Sequence, residues 1–554
     1  MKAVREVGIA REQMTYLQLL RRQAERNGNK PYLVFEGRHF SYREVEALSQ
    51  QLAGGCLRAG VGKGRHVALL VGNCPETLLL NFAFGCVGAV VCPVNTAAKG
   101  DLLEYFLKLC DASVIVVGTT YLERFSEVAP RLPEIAVLII VDDSATDTDT
   151  TVAAEAMATA SRLQTAGRRI ISYETLAQAS IEAVWPEVSP HDVQAIMFTS
   201  GTTGPSKGVV IDNAQSFEFS IGRVQYLGLM ESDTVYTCLP LFHGNALHAA
   251  AVPALLADAT LVLARRFSAR SFWSDVRNNG VTQFNLLSSM TNILWGAPPS
   301  PDDRRHRVRQ CTMVPVPSFA QEFKARFGVE IVSSYSLTDF GQGTFLQPGS
   351  LLQKMRSAGQ PRPDIEVAIL DDEDQPQPPG AAGEICLRAH RAGLSGRRYY
   401  KAPEETERAN RGGWFHTGDR GYLDAEGYLF FLDRKKDAIR RRGENISSWE
   451  VEQCIAAYPD VADVAVYAVN SEMSEDEVMA SIVCREGRTI DPAALIRFCE
   501  RNMAYFMVPR YVEIVDSLPR TSTEKVQKQI LRESAERRLP EIWDREKAGI
   551  DLVR

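Results

Sequence analysis

Over roughly its first 340 residues the chain alternates amphipathic stretches with short β-branched runs, and no other feature limits the fold as much. YREVEALSQQLAGGCLRAGV, from Tyr42, repeats its apolar residues at helical spacing, whereas HVALLVG, from His66, has the length and composition of a strand. Repeated along the chain, this pattern predicts mostly parallel sheets covered by helices on both faces. The longest apolar runs, ASVIVVG and IAVLIIV, are long enough for a buried strand and far too short for a membrane span.

Two features interrupt the alternation. The stretch DDSATDTDTTVAAEAMATASRLQTAG, from Asp142, is polar and rich in small residues and reads as a surface insertion. From about residue 360 to 432 the period shortens to strands with Gly/Asp turns, GEICLR and GYLDAEGYLFFLDR, which predicts an antiparallel or β-barrel-like subdomain. The basic run DRKKDAIRRRGE then precedes a smaller α+β segment. At 554 residues two or more domains are expected, and the boundary falls near Lys435 and Lys436. The expectation is an α/β multidomain protein: a large N-terminal domain, 1–434, of two helix-flanked sheets plus the barrel-like part, and a small mobile α+β domain, 435–554.

Composition narrows the function classes. A net charge of −7 gives no electrostatic reason for a nucleic-acid partner. The eleven cysteines are odd in number, scattered and without a CxxC pair, which argues against a disulfide framework or a thiolate metal site and fits a reducing cytoplasm. The N-terminal stretch lacks the apolar core of a signal peptide, so no integral membrane association is expected.

The strongest chemical signal is TSGTTGPSKG, Thr199 to Gly208. Its glycines, Gly201 and Gly204 among them, let backbone N–H groups approach an anion. Thr199, Ser200, Thr202 and Thr203 add hydroxyl donors, and Lys207 adds a point charge, a set that suits a polyphosphate. It is not a Walker loop, because Ser206 and Gly208 flank the lysine.

With this loop in place the sequence resembles the adenylate-forming superfamily of acyl-CoA ligases, peptide-synthetase adenylation domains and luciferases. The family's other signatures follow in order: PLFHGNALH from Pro240, YSLTDFG from Tyr335, WFHTGD from Trp414, DRKKDAIRRRGENISSWEVE from Asp433 and LPRTSTEKVQK from Leu518. The resemblance covers essentially the whole chain and is closest to carnitine- and medium-chain-type acyl-CoA ligases. It implies ATP, Mg²⁺ and coenzyme A as reaction partners of a small carboxylic acid or its acyl-adenylate, and it allows a homodimer.

Carried over position by position, the resemblance gives Tyr335 to the adenine, Asp419 and Arg434 to the ribose and phosphate region, and Thr338 to the α-phosphate. Lys525 would reach the carboxylate and α-phosphate during adenylation. His243, Phe242 and Asn245 would line the acyl pocket and the thiol entry, with Val314 and Gly341 on its wall. Lys436 falls at the hinge, Gly443 and Glu444 on the pantetheine channel, and Arg440, Arg441 and Arg442 near the CoA phosphates.

Three positions depart from the family pattern. Glu524 stands where glycine usually precedes the catalytic lysine. Asp339 replaces the usual metal-binding glutamate, withdrawing the carboxylate by roughly 1.5 Å, about one C–C bond. TMVPVPSF, from Thr312, replaces a Gly/Ala-rich segment beside the nucleotide. Because the first two bear on adenylation, three readings stay open: a complete acyl-CoA ligase, an enzyme biased toward converting a supplied acyl-adenylate to the thioester, and an AMP-binding regulator without turnover.

Overall fold

The computed structural model describes residues 7–144, 150–181, 184–199, 206–390, 398–434, 439–441, 444–446, 448–470, 476–503, 505, 507–521 and 525–552. The alternating pattern folds into two large sheets. In the first, the strands Val193–Phe198, Val90–Pro93, His66–Leu70, Val114–Gly118, Val137–Val141 and Arg169–Ser172 lie side by side in parallel. Gly208–Asp212 and then Arg398–Tyr399 extend the Val193–Phe198 edge in antiparallel fashion. In the second sheet, Thr260–Leu263, Thr234–Thr237, Gln283–Leu287, Gln310–Val314 and Glu330–Leu337 are consecutive parallel neighbours. Strands buried on both faces need near-continuous apolar runs, which is what VIVVG and VLIIV supply.

Helices between the sheets carry matching signals. Ser41 and Glu44 form a reciprocal capping box at the start of Tyr42–Arg58, and Asp212 with Gln215 does the same for Asn213–Leu227. The latter helix ends at Gly228 in the left-handed region, φ 66°, and is buried along most of its length. One apolar core joins the two sheets through these helices.

Four strands form a separate antiparallel sheet, ordered Ile365–Leu370, Gly383–Ala389, Phe415–Leu423, Leu429–Arg434. The smaller C-terminal domain is built on Val461–Asn470, Asp476–Cys484, Tyr511–Ile514 and Trp543–Asp544, with its own apolar core.

One expectation is corrected. Much of the small-residue stretch read as a surface insertion is a helix, Thr150–Thr165, that makes the crossover between the parallel strands Val137–Val141 and Arg169–Ser172. Leu163 is buried, while Thr159 and Arg162 both bond Glu123 at 2.6 Å. Alanine is the best helix former and needs little apolar bulk to pack closely, so a weak hydrophobic pattern hid a structural element.

Candidate active site

Parallel sheets place ligands outside the carboxyl ends of their strands, and in the second sheet those ends converge. Thr234–Thr237 leads to Phe242, His243 and Asn245, Gln283–Leu287 ends at Leu287, Gln310–Val314 runs into Pro315 and Pro317, and Glu330–Leu337 ends at Thr338 and Asp339. All of these line one cavity of about 1710 Å³. Thr199 and Lys207 from the first sheet line it as well, and the small domain closes it with Arg520, Lys525 and Lys528.

The phosphate-loop ends are clamped together. Thr199 N–H donates to the Lys207 carbonyl at 2.9 Å, and Lys207 N–H donates to Thr199 Oγ1 at 3.0 Å. The Lys207 ammonium sits 4.5 Å from the ring centre of Tyr399, a cation–π contact. Tyr399 in turn donates its hydroxyl to Asp339 Oδ2 at 2.6 Å. Thr338 and Asp339 lie at the tip of a hairpin whose register pairs Leu337 with Gly341. This gives Gly341 a turn role: its φ of 114° closes the hairpin, and it does not line the cavity. Gln342, one residue on, lines the cavity.

Lys525 lies outside any regular element, beside the point where the chain crosses back on itself. An Arg520–Val526 bridge, the Thr521 N–H to Lys525 carbonyl bond at 2.8 Å and the Lys525 N–H to Thr521 Oγ1 bond at 3.1 Å close the loop. Arg520 pairs with Asp463, while Lys528 bonds Glu452 at 2.8 Å and Ser448 Oγ at 2.7 Å, tying both flanks to the body of the small domain. Across the cavity stands His243, whose Nδ1 accepts the Asn245 N–H at 3.2 Å, leaving the ring proton to Nε2. Burial, and after it the nearby Lys525 charge, pull the His243 pKa down to about 4, so the imidazole is neutral at pH 7.

Tyr335 and Asp419 are brought together behind this wall. The tyrosine hydroxyl donates to Asp419 Oδ2 at 2.7 Å, and both residues are buried. The turn before Asp419 is fixed by Glu384, which accepts the Gly418 N–H at 3.0 Å, and by Thr417 Oγ1, which donates to the Ile385 carbonyl at 2.7 Å. On the backbone, Arg434 lies opposite Asp419 in the sheet register.

Arg441 is a further correction. Only 2% exposed, it pairs with Glu477 at 2.7 Å and donates to the Val508 carbonyl at 3.1 Å, so its charge is spent inside the small domain rather than offered to a CoA phosphate. The expected site residues Ser200, Gly201, Thr202, Thr203, Gly204, Lys436, Arg442 and Gly443, and with them Glu524, lie outside the described residues. Arg434, Arg440 and Glu444 are described in their backbone alone. Tyr399 and Gln342 are additions that the sequence reading missed; the aromatic pair in RRYYK was the only available signal for the first.

Two family models match the chain: AMP-binding enzyme over residues 20–396, and AMP-binding enzyme C-terminal domain over residues 450–525. The chain belongs to the AMP-binding enzyme family. Within that family it is 32% identical to the crotonobetaine/carnitine–CoA ligase of Salmonella paratyphi A over 520 residues, 92% of this chain and 97% of that protein. The family fold is seen in an anthranilate CoA ligase solved with anthranoyl-AMP, at TM-score 0.84 and 23% identity over 97% of this chain and 100% of that one. It is seen again in ATP-bound MatB from Rhodopseudomonas palustris, at TM-score 0.79 and 24% identity over 94% and 99%. No helix among the described residues is long and apolar enough to cross a membrane.

Proposed function

We propose that this chain, an AMP-forming acid–thiol ligase, carries out both half-reactions: it joins a carboxylic acid to AMP and then passes the acyl group to CoA. The observation that carries this reading is the meeting of Lys207, Thr338, Asp339 and Lys525 on one cavity. Charge must be neutralised where a carboxylate approaches a polyphosphate, and fixed ammonium and hydroxyl groups do this without reorganising at the moment of reaction.

In the first step a carboxylate oxygen attacks the α-phosphorus of ATP, the bond to the β-phosphate oxygen breaks, and pyrophosphate leaves. Lys525 lowers the repulsion between the incoming carboxylate and the α-phosphate. Thr338 donates its hydroxyl to an α-phosphate oxygen, and Lys207 holds the leaving phosphates. The hard oxygen donors of Asp339 and Thr338 suit Mg²⁺, which when bound would share the phosphate charge. Tyr335 and Asp419 form the nucleoside end of the site. In the second step the CoA sulfur attacks the acyl carbon and AMP departs with the electron pair of the broken C–O bond. Neutral His243 stands beside the reacting carbonyl without adding a charge.

The domains divide at 434 and 435 in this reading. Lys436 is the pivot, and Gly443 and Glu444 form the CoA face after rotation. The setting is cytoplasmic. The test is thioester formation by mass spectrometry from free acids with ATP, Mg²⁺ and CoA, and in parallel from the matching synthetic acyl-adenylates with CoA. Thioester in both arms is expected. Thioester from the adenylates alone would show that adenylation is supplied elsewhere, and AMP binding with no thioester in either arm would leave only a regulator.

A further inference from the structure

Arg223 has no place in the chemistry above. It lies on the buried helix Asn213–Leu227, is 7% exposed, and lines the same cavity as Lys525 and His243. Among the described residues its hydrogen bonds run from Nη2 alone, to Asn285 Oδ1 at 3.2 Å and Thr312 Oγ1 at 2.9 Å, two residues held side by side by the register of their parallel strands. Both partners are neutral. Nη1 and Nε have no protein partner among the described residues. Glu218, an acid on the same helix, lies 3.9 Å from Arg362 instead.

Burial draws the guanidinium pKa down to about 10, which still leaves a full positive charge at neutral pH. A buried cation without a counter-ion is costly, and proteins keep one where a ligand supplies the missing charge. A second observation points into the same space. Gln342 is 3% exposed and lines the cavity, and the Nε2 amide of its carboxamide is a donor that a carboxylate can accept from. Its carboxamide lies against Gly222, the residue next to Arg223. A chain of contacts relates this wall to the reaction centre: Arg223 bonds Asn285, Asn285 Nδ2 lies 3.3 Å from Asn245 Oδ1, and the Asn245 N–H donates to His243. Phe219, Phe242 and Ala249 supply apolar wall to the same cavity.

Resting on the ligase reading, we propose that the acid is a dicarboxylic acid: one carboxylate is activated beside Lys525, and the other docks on Arg223 with the Gln342 carboxamide as a second donor. The planar guanidinium fork matches a carboxylate in two parallel hydrogen bonds, and the apolar wall takes the spacer between the two ends. The same cation disfavours an acid with a quaternary ammonium tail, such as carnitine, so this chain differs in substrate charge from the crotonobetaine/carnitine–CoA ligases it resembles in sequence.

The experiment measures kcat/KM for thioester formation by the full-length protein with matched acids: butanoate and succinate, hexanoate and adipate, octanoate and suberate, and the ω-trimethylammonium acid at each length. At the length that spans the cavity the dicarboxylate is expected to exceed its monocarboxylate partner by about 10- to 100-fold, the range of one charge-assisted hydrogen-bonded contact. The trimethylammonium acid should be the poorest of each set. Arg223→Gln should bring the dicarboxylate-to-monocarboxylate ratio toward one, mainly through KM for the acid, and Arg223→Lys should restore part of it. Monocarboxylate preference at every length overturns the proposal, as does a ratio that Arg223→Gln leaves intact, or a loss confined to KM for ATP. The wild-type ranking stands as a test even where a variant fails to fold. If no acid gives thioester, the ligase reading fails by itself, and calorimetric titration of succinate, adipate and suberate decides the inference. Binding abolished by Arg223→Gln supports it; absent or unaltered binding overturns it.

Discussion

At His243, burial and a neighbouring ammonium act in the same direction. Its folded pKa of about 4 lies below the ordinary 6.5, so between those values the unfolded chain binds a proton that the native site refuses. The contribution of the neutral ring to stability is therefore intact above pH 6.5 and declines as pH falls toward 4. An NMR titration of the His243 ring should show no midpoint between pH 6 and 7. In Lys525→Ala the midpoint should rise, though not all the way to 6.5, because burial is the larger cause; an unmoved midpoint would place the lysine away from the ring. Tyr399 gives a second prediction at this scale. Tyr399→Phe removes the donor to Asp339, and losing a bond that orients the carboxylate proposed to hold the metal should raise KM for MgATP by about 10-fold while sparing thioester formation from a supplied adenylate. Residues of this kind mark the boundary of what a sequence discloses. Lys207, Thr338 and Lys525 stand in recognisable motifs. Arg223 and Tyr399 acquire meaning only from the strands packed against them, and Arg441, one of three arginines in a row, is set apart by a burial that no local pattern announces.

The decisive element is the Arg520–Val526 loop. Its lysine must reach into a cavity built by the other domain, and it does so from a turn pinned at one flank by Arg520–Asp463 and at the other by Lys528 to Glu452 and Ser448. Holding a flexible side chain near its target before reaction reduces the ordering cost of each turnover. Asp463→Ala should therefore slow pyrophosphate release by about 10-fold and leave the conversion of synthetic adenylate to thioester unchanged, as measured by single-turnover kinetics of the two half-reactions; equal slowing of both would indicate a general loss of folding. Elements were the most legible level of this sequence where period and composition agreed, as in Tyr42–Arg58 with its capping box or the β-branched strands of the first sheet. Thr150–Thr165 was missed because alanine and threonine carry little hydrophobic signal, although the helix completes a parallel crossover. Asp339 was legible as a departure, but its anchoring to Tyr399 depends on a strand, Arg398–Tyr399, of only two residues.

At the scale of the molecule, two sheets deliver the carboxyl ends of their strands to one cavity, and the small domain completes it with a lysine. The order of the motifs along the sequence foreshadowed this meeting, since most of them follow or end a strand. The charge at the inner end of the cavity was not foreshadowed, because it depends on which face of Asn213–Leu227 turns inward. Lys525 is proposed to act in the first half-reaction and not in the second. The most direct test compares Lys525→Ala with the unaltered chain in single-turnover measurements, following pyrophosphate release from acid and ATP in one arm and thioester formation from synthetic acyl-adenylate and CoA in the other. A loss of at least about 100-fold is expected in the first arm, the scale of removing one fixed electrostatic donor at a reaction centre, with the second arm within a few-fold of the unaltered chain. Undiminished pyrophosphate release, or an equal loss in both arms, would contradict it.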